Sequence, residues 1–429
     1  MSAAAGEPVP LRRNRDFQLL WSGQAVSLLG SQTSRIAYPL LVLAMTGSPA
    51  KAGIAGFAAM LGYLLFPLPA GMLADRHDRK RIMIACDAIR LAAVGSIAVA
   101  FWAAHLTYAQ ILLADFAEGG ATIFFNLAER AALPMLVHPA QRSAAISQNE
   151  ARTNVAQLAG PALGGVLFGL SRAAPFAADA LSYLASLVTL PFIRTPMQAA
   201  HGSQRSLRAE LRVGLVFTWR QPFLRYASIF GAVVNLLLQV VVLGLIVLGR
   251  HDRASPAQIG IIVGCLGAGG LAGALAAPWF QRRIPAGLTI TGCMWIWAVF
   301  LALIAVVHAV AWLYPMVVVI GFVGPAWNVS AQTFRMQITP NELMGRTSSV
   351  SVQVAWGVIP LGSLLAGFLL QVLSPPAAMG VVAGGMAVTA ITATALAPVR
   401  NAGRKTPGTS GQTGPAGPAG PAAAAQPAS

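Results

Sequence analysis

Twelve long apolar runs separated by short polar stretches constrain this chain more than any other feature. They read approximately 17–46, 52–74, 82–104, 108–130, 145–170, 174–193, 226–248, 256–280, 286–308, 312–334, 346–372 and 376–398. A helix needs about 20 apolar residues to cross the hydrocarbon core of a bilayer, and each run is long enough. Only 10% of the 429 residues are charged and 56% are hydrophobic, whereas a soluble domain carries about 25% charged residues. Such a chain cannot cover itself with a water-compatible surface. An ordinary soluble enzyme, a nucleic-acid-binding domain and a disordered protein are therefore excluded. The expectation is an all-α membrane protein with twelve transmembrane helices in a lipid bilayer.

The basic residues give the orientation. With the N-terminus in the cytoplasm, 22 of the 29 Lys and Arg fall in inside segments and four (Lys51, Arg172, Arg250, Arg253) fall outside. The positive-inside rule expects this bias, and one missed helix would scramble it. Both termini are thus expected in the cytoplasm. The net charge of +16 reads as topology rather than as a nucleic-acid footprint. No cleavable signal pattern is expected, because the first apolar run is long and follows a basic, proline-containing stretch.

The organisation follows: a cytoplasmic tail (1–16), a six-helix bundle (17–193), a cytoplasmic central loop (194–225), a second six-helix bundle (226–399) and a disordered tail (400–429) rich in Gly, Pro and Ala. Within the central loop, Leu207, Leu211, Leu215 and Trp219 recur every four residues, as in an amphipathic helix on a membrane surface. The halves echo each other. Ser48-Pro49-Ala50 and Ser255-Pro256-Ala257 open the second and eighth runs, Gly71-Met72-Leu73-Ala74 matches Gly273-Ala274-Leu275-Ala276, and Arg142 and Arg346 begin the fifth and eleventh. Two pseudo-symmetric halves around a midplane cavity are a transporter plan. The three cysteines and six histidines are scattered and suggest neither a disulfide framework nor a metal or cofactor site. No Gly-rich phosphate loop ending in Gly-Lys-Ser/Thr points to ATP, and no nucleophile–base pair points to an enzyme.

Gly71 to Arg81 reads Gly-Met-Leu-Ala-Asp-Arg-His-Asp-Arg-Lys-Arg between the second and third runs. This resembles the signature loop of the major facilitator superfamily, with Asp78 in place of the usual second glycine. The stretch 75–87, Gly23-Gln24, and Gly160-Pro161-Ala162-Leu163-Gly164-Gly165 resemble the Mef-type macrolide-efflux and enterobactin-exporter branch. The last element is similar to the antiporter motif of drug:proton exporters, although alanine at 156 and serine at 147 replace its upstream glycines. The resemblance implies the major facilitator fold and a monomer. It also implies a conformational latch at Gly71, Asp75, Arg76, Arg79, Lys80 and Arg81, supported by Asp87 and Arg90, which stand one turn apart. In physical terms, Asp75 can accept from amides at a helix start, while the basic triplet can bind carboxylates and anionic lipid heads. Pro161 bends its helix, and Gly164 and Gly165 allow close helix contact.

An ionisable side chain at bilayer depth costs at least about 2.5 kcal/mol, so each needs a reason. Those at depth lie in the first half: Arg35, Asp87, Arg90, Asp115, Glu118, Glu150, Arg152 and Asp179, while in the second half Arg335 and Arg346 sit at the inner ends of their runs. Gln24, Ser27, Ser31 and Arg35 form one stripe; Asp115, Glu118, Thr122, Asn126 and Glu129 form another; Ser147, Glu150, Asn154 and Gln157 form a third. Depth matching predicts that Arg35 pairs with Asp115 or, better, with Glu118. Two acids and one arginine cannot all be neutralised, so one acid is expected to hold a proton near neutral pH; a structural charge cluster is the competing reading. Asp179 is expected to cap the sixth helix, and Arg152 to snorkel or meet another helix. The substrate cavity draws candidates from Gln24, Ser31, Tyr38, Asn126, Asn154, Asn235, Gln239, Trp327, Asn328 and Trp356, with Phe124, Phe125, Trp295 and Trp297 as further aromatic wall. The function expected is a proton-coupled exporter of amphiphilic drugs or secondary metabolites in a bacterial cell membrane. A siderophore or metabolite exporter and an uncoupled facilitator remain open.

Overall fold

A computed structural model describes residues 10–198, 207–307 and 309–403. The described part is helical throughout: α1 (Arg15–Thr46), α2 (Pro49–Leu65), α3 (Pro67–Arg76), α4 (Arg79–Trp102), α5 (Tyr108–Leu136), α6 (Arg142–Leu170), α7 (Ala174–Thr189), α8 (Leu207–Arg220), α9 (Pro222–His251), α10 (Pro256–Arg283), α11 (Ala286–Val306), α12 (Val310–Ile338), α13 (Asn341–Gly357), α14 (Ile359–Val372), α15 (Pro375–Ala395) and α16 (Ala397–Arg400). Of the tail expected to be disordered (400–429), residues 400–403 pack on the start of α11, with the Gly287 amide donating to the Ala402 carbonyl at 2.9 Å; the rest of the tail and residues 199–206 of the central loop lie outside the described part.

Nine helices or helix pairs among the described residues are long and apolar enough to cross a membrane, and a tenth forms if α2 and α3 count as one bent span. The twelve expected runs require α1 and α6 as well. These have 32 and 29 residues, ample length, but their polar stripes lower their hydropathy. Two runs expected as continuous helices are broken. α2 and α3 meet at 55°, and α13 gives way to α14 at Val358. The cause is local: Pro67 and Pro69, and then Pro360, lack amide donors and crowd the preceding turn.

The echo between halves has a physical counterpart. Ser48 Oγ accepts from the Lys51 amide and Ser255 Oγ from the Gln258 amide, so the two Ser-Pro-Ala sequences are equivalent N-caps. The halves meet most closely where glycine removes the Cβ. A Cβ on Gly165 of α6 would strike the Pro256 carbonyl, and one on Gly260 of α10 the Pro161 carbonyl. A Cβ on Gly53 of α2 would stand 2.6 Å from Gly367 Cα in α14. Nearby, Ser48 Oγ and the Ala50 amide donate to Gln371 Oε1 at 2.8 and 3.3 Å. These contacts gather toward the face formed by the loops after α1, α6, α9 and α14, opposite the face that carries residues 76–81.

At that basic face, two residues fasten the first half. Asn14 Oδ1 caps α1 while its Nδ2 donates to the Leu136 carbonyl at 2.7 Å. Asp16 Oδ2 accepts from Thr195 Oγ1 (2.6 Å) and from the amides of Thr195 and Arg194. Burial pushes the Asp16 carboxyl up, but these hydrogen bonds and the neighbouring Arg15 outweigh it and hold it below its ordinary value. In the second half, α8 lies against α13 and α9; its Leu215 and Trp219 are exposed.

Two outcomes follow. A depressed carboxyl stabilises above its unfolded pKa of about 3.9 and ceases to do so as pH falls through its folded value. Asp16→Asn should therefore lower the melting temperature in detergent at pH 7, and the difference from the parent should shrink below about pH 4; a difference independent of pH would contradict this. Gly260→Leu overpacks the α6–α10 contact, at a cost of about 1–3 kcal/mol. It should raise labelling of a cysteine placed at Ala162 by a membrane-impermeant maleimide. Unchanged labelling would show that the contact does not close this face.

Candidate functional site

The polar stripe of α1 meets a second stripe on α7 running the other way. Ser34 Oγ donates to Asp179 Oδ2 at 2.5 Å, Ser31 Oγ lies 2.8 Å from the Tyr183 hydroxyl, and Gln24 Nε2 donates to Ser186 Oγ at 2.7 Å. Ser182 Oγ adds a bond to Asp179 Oδ1 at 3.2 Å. Ser186 Oγ in turn donates to Asp87 Oδ2 at 2.7 Å, which brings α4 into the seam. Each of these groups finds within the protein the partner that lipid cannot supply.

Glu118 of α5 sits where the seam meets the third and fourth spans. The Tyr38 hydroxyl donates to its Oε2 at 2.7 Å and the Tyr183 hydroxyl to its Oε1 at 2.9 Å. Both carboxyl oxygens are thus held by neutral donors, and no ion pair reaches Glu118 among the described residues. Arg90 is the buried cation of this region. It pairs with Asp87 on its own helix, and its guanidinium lies 4.3 Å from the Phe125 ring centroid and 4.7 Å from that of Tyr183, within the range of cation–π attraction.

The expected Arg35 pair is not made. Arg35 is exposed and acts on the buried Asp115 only through longer-range charge. The reason is rotational: α1 turns Ser31, Ser34 and Tyr38 toward α7 and α5, and Arg35 points elsewhere. Asp179 does not cap α7; it lies inside the helix, fully buried, as an acceptor for α1 and Ser182. Arg152 of α6 reaches Glu129 of α5 at 2.9 Å, whereas Glu150 is exposed.

The signature loop divides its work. Asp78 Oδ1 accepts from the Lys80 amide at 2.9 Å and N-caps α4. Arg79 is buried and donates to the Ala74 carbonyl at 3.2 Å. Lys80 Nζ donates to the carbonyls of Pro191 and Ile193 at 2.8 and 2.9 Å, tying the loop to the end of α7. Asp75, Arg76 and Arg81 are exposed, and open space surrounds the position a Gly71 Cβ would take. Gly160 and Gly164 seat α6 on α1, where a Cβ would collide with Gln32 and the Thr33 carbonyl; Gly165 seats it on α10.

Of the cavity candidates, Gln24, Ser31 and Tyr38 are engaged in the seam. Asn235 donates to the Ala355 carbonyl (2.9 Å) and Gln239 to Ser363 Oγ (3.3 Å), both within the second half. Trp356 faces Tyr63 across the halves at 6.4 Å between ring centroids. The Trp327 indole N–H is buried without a partner among the described residues. Asn126 and Asn154 are half-buried and Asn328 is exposed. Two expected wall residues belong to packing: Trp297 is fully buried, with its N–H on the Ile320 carbonyl, and Phe125 is sealed beneath Arg90. Trp295, exposed, donates its indole N–H to Thr394 Oγ1 at 3.2 Å. Tyr183, Ser182 and Ser186 escaped the sequence reading. Their spacing from Asp179 on an otherwise apolar helix was the available signal.

Comparison with known proteins agrees with this architecture. Residues 5–407 match the family model described as transmembrane secretion effector. The chain is 26% identical over 362 residues to macrolide efflux protein A of Streptococcus pyogenes, covering 81% of this chain and 88% of that one. It is 29% identical over 357 residues to the multidrug efflux pump Tap of Mycolicibacterium fortuitum, covering 79% and 85%. Among solved structures, the nucleoside transporter NupG superposes with a TM-score of 0.72 at 16% identity, covering 89% of this chain and 98% of that one. A bacterial homologue of the iron transporter ferroportin in an inward-facing state gives 0.65 at 15% identity, covering 90% and 100%. The chain belongs to the transmembrane secretion effector family and is a multi-pass membrane transporter of the major facilitator type.

Proposed function

We propose that this protein is a proton-coupled exporter of amphiphilic compounds, macrolide-like drugs or secondary metabolites among them, and that Glu118 is the carboxyl that exchanges the proton. The observation that carries the reading is the environment of Glu118: buried, held by the hydroxyls of Tyr38 and Tyr183, and without an ion pair among the described residues. A buried carboxylate without a cation is costly. Asp87 spends the charge of Arg90, so Asp115, Glu118 and Asp179 share only the distant influence of Arg90 and Arg35. Protonation removes that cost, and loss of the proton to the opposite side restores it. That cycle is what coupling requires.

In this reading, twelve spans sit in the cell membrane of a bacterium with the basic face in the cytoplasm, α1 and α6 being the two spans of lowest hydropathy. The glycine contacts between α6 and α10 and between α2 and α14 close the outer side. The substrate would enter from the basic face between the halves, past Tyr63, Trp327 and Trp356. The names of the related macrolide and multidrug pumps support an amphiphilic substrate. Exposed Asp75 and Arg76 are free to lock the basic face when the halves rock.

Inverted vesicles test the coupling. Adding a labelled macrolide to energised vesicles should release protons. Glu118→Gln should abolish both this release and gradient-driven accumulation while leaving downhill exchange of the macrolide. Accumulation unchanged in Glu118→Gln would move the coupling to another residue, and flux indifferent to the proton gradient would favour an uncoupled facilitator.

A further inference from the structure

A cavity lies away from the carboxyl seam. It has a volume of about 710 Å³ and is walled by α3 and α4 and floored by α5. Both α3 and α4 lean on α5, and the 55° bend after α2 opens the groove between them. Phe116, Gly120 and Phe124 supply the floor, on the face of α5 turned away from Glu118 at 100° per residue. Phe66 crosses the deep end, its ring centroid 5.9 Å from Phe116 and 5.6 Å from Phe124. Leu73 and Ile89, both well exposed, edge the opening.

The chemistry changes at the basic end. There the lining becomes Arg76, His77, Asp78 and Arg81. Asp78 is occupied as the cap of α4, while Arg79 and Lys80 are turned to main-chain carbonyls. Arg76 and Arg81 make no hydrogen bond or ion pair among the described residues. The groove is thus apolar along the inner half of the span, with two free guanidinium groups at the headgroup level. Its volume lies in the range of about 300–1,000 Å³ that holds small ligands.

We propose that this groove binds one anionic phospholipid, its acyl chain along Phe66, Phe116 and Phe124 and its phosphate between Arg76 and Arg81. Charge complementarity selects the occupant. Segment 75–81 carries four Lys or Arg against two Asp, and a guanidinium fork matches phosphate oxygens. A cationic amphiphile would meet repulsion at the same mouth. The site requires only that the chain be embedded in a bilayer and is independent of proton coupling. An occupant would hold α3 against α4 and so bias how the exposed Asp75 and Arg76 can engage the other half.

The test uses the full chain in nanodiscs containing trace photoactivatable phosphatidylglycerol or phosphatidylcholine, with crosslinks mapped by peptide mass spectrometry. The anionic phosphatidylglycerol should label peptides of α3, α4 and α5 preferentially. Each cytoplasmic arginine is worth about 1 kcal/mol toward an anionic lipid, about fivefold, so Arg76→Gln and Arg81→Gln should each reduce labelling about fivefold, with Lys at either position retaining most of it. Ala85→Phe, which fills the groove and leaves the arginines, should also reduce it. Equal labelling by the two lipids, insensitivity to Arg76→Gln and Arg81→Gln, or displacement of the lipid by a cationic macrolide at this site would overturn the proposal. The comparison of the two lipids on the parent protein stands even if a variant fails to fold.

Discussion

Lipid offers no hydrogen bonds, so every polar side chain placed at depth must find its partner in the protein. The first half of this transporter is built around that requirement. The α1 stripe and the α7 stripe satisfy one another residue by residue, from Ser34 and Asp179 through Ser31 and Tyr183 to Gln24 and Ser186. The seam fixes the rotation of α1, and that rotation decides which residue reaches α5: Tyr38 does and Arg35 does not. The surroundings of Glu118 are therefore a consequence of how two apolar helices dispose of their serines.

The second half is assembled by different means. Among the described residues its spans carry no ionisable pair at depth, and its cohesion comes from tight packing of aliphatic side chains and close backbone approach. Trp297, Met294 and Leu301 of α11 are completely or almost completely buried, and Gly269 and Gly273 of α10 sit directly on α12. Dispersion and shape do there what hydrogen bonding does in the first half. One half thus holds the charge-bearing machinery, while the other presents neutral groups such as Asn235, Gln239 and Trp327.

Much of this was legible in sequence because the underlying rules are one-dimensional. Runs of apolar residues and the placement of arginines report span and loop without reference to packing. The paired Ser-Pro-Ala caps, the Asp87–Arg90 pair and the Asp78 cap are likewise local, set within one turn of helix. What was not legible depends on the rotation and bend of whole helices. Depth matching put Arg35 level with Glu118, but level is not facing, and a rotation of α1 separates them. Asp179 stands in the first turns of its run and reads as a cap, because only the facing stripe of α1 makes it an interior acceptor. The break at Phe66–Pro67 was present in the sequence as two prolines, yet its size, and the groove it opens, required the packing of α3 on α5.

The seam and the glycine contacts have opposite roles in any rocking motion. All members of the seam belong to α1, α4, α5 and α7, within one half, so relative movement of the halves leaves those hydrogen bonds intact. The α6–α10 and α2–α14 contacts join the halves and hold few polar bonds, the Gln371 cluster being the exception at their edge. Contacts between small residues are lost gradually and regained without desolvating a charge, which suits a surface that must open and close. A charged seam at that interface would have to be broken and remade in every cycle, at several kcal/mol for each uncompensated ion. Placing the ionisable groups inside one bundle and glycine between the bundles separates the device that holds charge from the interface proposed to move.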